Sequence, residues 1–334
     1  MNDVQQIHQD AIVIDAVCPL LDDPAHLELY RQGGCTVVAP TVGLIDGAAA
    51  TLRTIGKWIN LINGRDDLVL IKRAADIGAA KASGKLGILF HFQGTGPIED
   101  SLDLVDAYKE LGVGIIQLAY NVKNRVGDGC EERTDAGLSR FGLKLIERMN
   151  RARVIVDCSH TGYRTTMEAI EASSAPVVFS HANPRAVHPS PRNIQDDQIK
   201  AIAATGGLVG AVGFPNFVSS SHRPSLDDFI AHIDYMVELV GIDHVGLGID
   251  YFTGMDPITP LAVVEAMYKS FVDFGAWTPK SYSPPPYYYP TGMETPTGYP
   301  KLTARLLERG YKEEDVRKIL GDNWVRVYRA VWGA

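Results

Sequence analysis

Two Ser-His pairs, Ser159-His160 and Ser180-His181, close two apolar runs, RVIVDCS (153–159) and PVVFSH (176–181). If these runs are neighbouring parallel strands, about 4.8 Å apart, both imidazoles can reach one ion. A single histidine at a strand end reads most simply as structural. Two on adjacent strands read as a pair of metal ligands. Asp250 closes another such run, HVGLGID (244–250), where it is a candidate third ligand or a general base toward an activated water. His91 and Gln93 lie two residues apart at the end of LGILFHF (86–92) and so point to one face. Gln93 is a neutral oxygen donor and a weaker ligand than a carboxylate, while His91 is readable either as a ligand or as a buried structural histidine. In the loop ANPRAVHPSPRNIQDD (182–197), Arg192 with Asn193 beside it is placed to clamp a substrate carboxylate, and Arg185 reads as solvated.

These residues need a frame that brings strand ends together. Eight short apolar runs recur: AIVIDAV (11–17), CTVVAP (35–40), LGILFHF (86–92), VGIIQLA (113–119), RVIVDCS (153–159), PVVFSH (176–181), GLVGAVG (207–213) and HVGLGID (244–250). Their near-continuous Val, Ile and Leu content fits strands covered on both faces. Helical spacing appears between them at 137–150, 196–205 and 225–241, with Asp and Ser placed to cap. The expected fold is therefore α/β, a TIM-like (β/α)8 barrel forming one domain over 1–334, with its chemistry at the C-terminal strand ends. LVLI (68–71) is a further short strand outside the series. Residues 251–300 form an insert after the eighth strand whose Tyr- and Pro-rich part, SYSPPPYYYPTGMETPTGYP, has two readings: a solvated loop, or a lid or subunit contact. Residues 301–334 carry C-terminal helices, with helical patterns at 301–310 and 313–332.

The 334 residues are 46% hydrophobic and 22% charged, which excludes a disordered chain. Thirty-two Lys and Arg against 40 Asp and Glu give a net charge of −8 with no basic stripe, so neither nucleic acid nor an anionic membrane surface is an expected partner. No run has the length of a membrane span, and the first residues lack a signal-peptide pattern. Cys18, Cys35, Cys130 and Cys158 share no C-x-x-C spacing, which points to a reducing, cytoplasmic compartment.

The segments 137–160, 176–210, 232–250 and 306–327 resemble the membrane (renal-type) dipeptidases, the M19 branch of the amidohydrolase-like metal enzymes, and the likeness runs from about residue 8 onward. The resemblance implies a TIM-like barrel, two zinc ions bridged by a glutamate, hydrolysis of dipeptides and related amides, and a homodimer. It gives His160 and His181 the part of ligands to the second metal, Arg192 that of the arginine receiving the substrate carboxylate, and Asp250 that of the catalytic aspartate. The first metal's positions depart from the pattern. Val17 and Pro19 stand where a His-x-Asp pair is expected, Gln93 replaces the bridging glutamate, and Tyr120 replaces a substrate-contacting histidine. Asp15 and Cys18 lie beside that vacated place.

The expectation is a metal-dependent hydrolase, mononuclear, with one Zn2+ on His160 and His181, weak help from Gln93 and a candidate contribution from His91. Asp250 moves the proton, Tyr120 donates to the developing oxyanion, and the substrate is a dipeptide or a similar small carboxylate-bearing amide. Two alternatives stand beside it: a non-catalytic small-molecule binder descended from the family, and an amidohydrolase acting on a non-peptide amide.

Overall fold

The computed structural model describes residues 4–255 and 258–333. Residues 1–3 of the leading stretch, 256–257 of the insert and 334 at the close lie outside the described residues. The barrel strands are β1 (Ile14–Asp15), β2 (Val37–Val38, running on through Thr41–Gly43), β3 (Leu86–Ile88 and Phe90–Phe92), β4 (Val113–Gln117), β5 (Ile155–Asp157), β6 (Val177–Val178), β7 (Val209–Ala211) and β8 (Val245–Leu247). Each pairs in parallel with the next. Ile14 lies opposite Val37, Val37 opposite Gly87, His91 opposite Ile115, Gln117 opposite Asp157 and Asp157 opposite Val178. A bridge from Phe179 to Val209 carries the series from β6 to β7, and Val209 faces Val245. The Ala16 amide donates to Leu247 O at 3.3 Å and closes the ring from β8 back to β1.

All eight expected runs become strands, but each paired stretch is shorter than its run. The last residues of a run leave the ladder, and their backbone turns to side chains instead: the Ser159 and Ser180 amides donate to Asp157 Oδ1, and the Ile249 amide to Asp15 Oδ1. A polar side chain at a strand end thus replaces a strand neighbour as hydrogen-bond partner. Leu68–Leu70 pairs with β3 outside the barrel, as the LVLI run suggests.

Helices cover the outside. Arg140–Ala152 starts at Ser139, whose hydroxyl accepts from the Gly142 amide, and it buries Leu145, Ile146 and Met149. Leu226–Val240 starts at a Ser225–Asp228 capping box. The 313–332 pattern is not one helix: Glu313–Arg317 passes through a π-helical turn, Lys318–Asp322, into Asn323–Trp332. The turn falls where Gly321 packs so closely on Ile12 that a Cβ would lie 2.4 Å from its carbonyl oxygen. The last helix then seals an apolar cluster of Ile14, Val37, Ile115, Ile155 and Val178 with Trp324, Tyr328 and Trp332.

The insert is not a solvated loop. It contains a helix, Leu261–Asp273, and Trp277, Tyr282, Tyr287 and Tyr289 are all buried. The Tyr289 hydroxyl reaches Asp250 O and accepts from the Phe252 amide, which ties the insert to the end of β8.

Candidate active site

Three strand ends carry the site's polar groups in an unusual backbone conformation. Asn121 after β4, His160 after β5 and Asp250 after β8 have φ of 56°, 63° and 61°. The left-handed region costs a residue with a Cβ, and such outliers concentrate where a fold holds a side chain for function.

His160 and His181 meet ring edge to ring edge, Nε2 to Nε2 at 2.8 Å, and both are buried. Their other nitrogens fix the tautomers. His160 Nδ1 lies 2.6 Å from Asn121 Oδ1, and the Asn121 amide nitrogen is already committed to Ala276 O and the Tyr282 hydroxyl. The amide oxygen can only accept, so His160 Nδ1 carries the proton. His181 Nδ1 lies 2.7 Å from Ser180 Oγ, whose own proton goes to Asp157 Oδ2 at 2.5 Å. That assigns the His181 proton to Nδ1 as well. Both Nε2 atoms therefore present lone pairs to each other. Burial, reinforced by the Arg192 charge, holds both imidazoles well below their ordinary pKa, so a shared proton is disfavoured. Two buried lone pairs converging on one point, each ring oriented by a hydrogen bond at its far nitrogen, fit a metal cation.

Asp157 organises this corner. It accepts from the Ser159 amide and hydroxyl, the Ser180 amide and hydroxyl, and His91 Nε2 at 3.3 Å. Burial alone would raise its pKa, but His91, His181 and Ser180 overcome this and hold it far below the usual carboxylate range. Of the two readings of His91, as ligand or as structural histidine, the structure shows Nε2 engaged with Asp157. Its Nδ1 is buried without a partner. Gln93 accepts from Thr41 at 2.9 Å and lines the same cavity as Asp250. Among the described residues no three His, Cys, Asp or Glu side chains converge as a metal cluster. The donor set fits one cation at the histidine pair. It does not fit a second by the first strand, where Val17 is buried and apolar and Asp15 is spent on the Ile249 amide and the Tyr299 hydroxyl.

Asp250 is buried, and desolvation, with some help from Asp15 and against Arg192, pushes its pKa up to about 8. A carboxyl so placed can hold or release a proton near neutrality. The Tyr120 ring stacks on His160 at 4.1 Å, and its hydroxyl accepts from Trp277 Nε1 at 3.0 Å. Burial raises its pKa, so it keeps a proton to donate. Arg192 is 2% exposed, its guanidinium lies over the Phe217 ring, Nη2 donates to His181 O at 3.3 Å, and Nε has no partner. It forms no ion pair among the described residues. Asn193 donates both amide hydrogens to His188 O and Phe217 O, so it braces the loop instead of facing a substrate through them.

The site residues line two cavities. One, of about 230 Å³, is lined by Gln93, Tyr120 and Asp250 with aromatic residues of the insert; the other, of about 150 Å³, by His160, Arg192, Arg185 and Cys130. The sequence reading missed Asn121, Asp157 and Trp277. Asn121 and Asp157 were visible as polar residues at strand ends; nothing in the sequence placed Trp277 against Tyr120.

The model of the membrane dipeptidase family, peptidase family M19, matches residues 4–266 and 287–333. The chain belongs to this family. The crystal structure of an amidohydrolase from Pseudomonas aeruginosa is similar to this M19 chain at 36% identity and a TM-score of 0.89, covering 99% of this chain and 100% of that one. An uncharacterized dipeptidase of Schizosaccharomyces pombe is 30% identical over 302 residues, 88% of this chain and 63% of the relative, so this M19 chain spans less than two thirds of that protein's length. A metallo peptidase from Rhodobacter sphaeroides, solved with a phosphinate mimic of the dipeptide L-Ala-D-Ala, shares the fold at 21% identity and a TM-score of 0.79, covering 96% of this chain and 100% of that one. The match to the family leaves out residues 267–286, the middle of the insert.

Proposed function

We propose that the protein is a mononuclear, metal-dependent hydrolase that cleaves the amide bond of a dipeptide or a similar small substrate bearing a carboxylate. The observation that carries this reading is the 2.8 Å approach of His160 and His181 through two unprotonated Nε2 atoms. His160 and His181 would hold the cation, with Zn2+ the natural choice for two imidazoles, and its chemistry there would be that of a Lewis acid toward a carbonyl or a water. The protein's own groups do the rest. Asp250 takes the proton from the attacking water and passes it to the leaving amine. Tyr120, with its hydroxyl already accepting from Trp277, directs its proton toward the oxyanion. Arg192 receives the substrate carboxylate, since a buried guanidinium without an anionic partner is costly until an anion pairs with it. Asp157, Ser180 and Asn121 keep both histidines in the tautomer that accepts a cation.

The test is hydrolysis of a dipeptide panel by protein supplied with Zn2+. His160→Ala should abolish turnover, and a chelator should do the same reversibly. Asp250→Asn should lower kcat on the order of 10²-fold or more. Arg192→Ala should lower kcat/KM roughly 10- to 100-fold for a dipeptide and far less for its C-terminal amide. The apolar character of Val17 favours a second reading, a binder without turnover. Tight binding of dipeptides with no cleavage at any metal concentration would select it.

A further inference from the structure

The larger cavity has a composition of its own. Its wall holds Phe214, Phe252, Phe271, Trp277 and Tyr282 beside Tyr120. Trp277 is sandwiched between two parallel rings, Tyr282 at 4.3 Å and Phe271 at 4.5 Å, and Phe214 meets the Tyr282 ring edge-on at 5.8 Å. Phe271, Trp277 and Tyr282 come from residues 267–286, the stretch the family match leaves out. Among the described residues lining the cavity there is no Lys, Arg or His, while Asp22, Asp46 and Asp250 all contribute carboxyls. Arg185 and Arg192 line the other cavity, together with His160, Glu132 and Asp135. The two cavities therefore differ: carboxyls and aromatic rings without a cation in one, and in the other the buried Arg192, which has no ion-pair partner among the described residues, beside Arg185, Glu132 and Asp135. An ammonium meets no cation in the first and a carboxylate has Arg192 to meet in the second, which favours one orientation of a ligand that carries both. At about 230 Å³ the aromatic cavity is smaller than the roughly 300–1,000 Å³ of drug-sized sites, the scale of one residue with its side chain.

We infer that this cavity selects substrates whose residue on the amino side of the scissile bond carries a free amine and a large apolar side chain, aromatic above all. The inference rests on the hydrolase reading above and gives it a substrate class. The side chain lies against the Phe252–Trp277–Tyr282 wall and the ammonium turns to the carboxyls, while the carboxylate end points to Arg192. The aromatic wall supplies large contact area, Trp277 through its edge because both its faces are stacked, and a ring edge pairs favourably with the face of an aromatic side chain.

Calorimetric titration of the full chain with three amides separates the elements of the claim without needing turnover. L-Phenylalaninamide should bind at least about 10-fold tighter than glycinamide, and tighter than 3-phenylpropanamide, which lacks the amine. Trp277→Ala should reduce the first ratio toward one. If that variant does not fold, as read by circular dichroism, Phe252→Leu should reduce the same ratio more mildly. Equal affinities for the phenylalanine and glycine amides, or undiminished binding of the compound without the amine, would overturn the inference, because a cluster that merely holds the insert together predicts no selectivity. Selective binding combined with no cleavage of Phe-Ala would strike the hydrolase reading and leave the cavity's preference standing.

Discussion

Ser180 and Asn121 set the chemistry of the histidine pair from behind, by deciding which nitrogen of each ring keeps its proton. Removing either partner frees a ring to adopt the other tautomer. Ser180→Ala should lower Zn2+ affinity roughly 10- to 100-fold, the usual effect of losing such a support, as measured by competition with a fluorescent chelator. Asp250 offers a test through pH. An aspartate in an unfolded chain titrates near 3.9, whereas here burial raises it to about 8. The fold thus favours the protonated acid. The associated stability is complete below about pH 4 and is lost as pH rises toward 8, a difference on the order of a few kcal/mol. In metal-free protein, the thermal midpoint of the wild type should therefore fall relative to Asp250→Asn between pH 5 and pH 8; a gap that stays constant would contradict the assignment. At this scale the sequence was informative wherever a polar residue interrupted an apolar run, which is how His160, His181 and Asp250 stood out. It could not distinguish His91, bound to Asp157, from a ligand, because both sit inward on a strand and only the direction of the ring separates them. Adjacency to Arg192 says as little about where the Asn193 amide spends its hydrogens, which go to His188 O and Phe217 O.

Strands and helices position these groups through close approaches that only small residues permit. A Cβ on Gly248 would lie 1.9 Å from Ser180 O, and one on Gly210 would lie 2.1 Å from the same atom. Gly248→Ala must push β8 away from the end of β6, the segment that presents Ser180 and His181. The expected cost is about 1–3 kcal/mol in a denaturant melt, with loss of metal affinity alongside. The strand series was legible because parallel barrel strands are covered on both faces and read as plain apolar runs. The insert was not, since Tyr- and Pro-rich composition does not tell a solvated loop from one whose tyrosines are buried. Its helix, Leu261–Asp273, has Val264 as its buried contact in the described structure, so little amphipathic signal marked it. The π-helical turn at Lys318–Asp322 was hidden for a different reason: the pressure on Gly321 comes from Ile12, some 300 residues away in the chain.

At the scale of the whole molecule, the barrel has a sealed end and a chemical end. Trp324 Nε1 donates to Leu247 O at 3.0 Å, and Trp332 stacks on Tyr328 at 4.3 Å, so the last helix closes the side away from the histidines. Trp324→Ala should cost about 3–5 kcal/mol, as a buried tryptophan ordinarily does, without altering the histidine pair. No described helix is long and apolar enough to cross a membrane. The barrel architecture was legible from strand count and spacing, whereas the grouping of polar and aromatic residues around the site depends on which strand ends meet in space. On the proposed reading this barrel has one working metal position, at His160 and His181. Elemental analysis of purified protein reconstituted with excess Zn2+ and then desalted, run in parallel with dipeptide hydrolysis, tests it most directly. About one Zn2+ per chain is expected, absent from His160→Ala and His181→Ala, with activity rising in proportion to the metal bound. Two ions per chain, or full activity in protein that holds none, would contradict it.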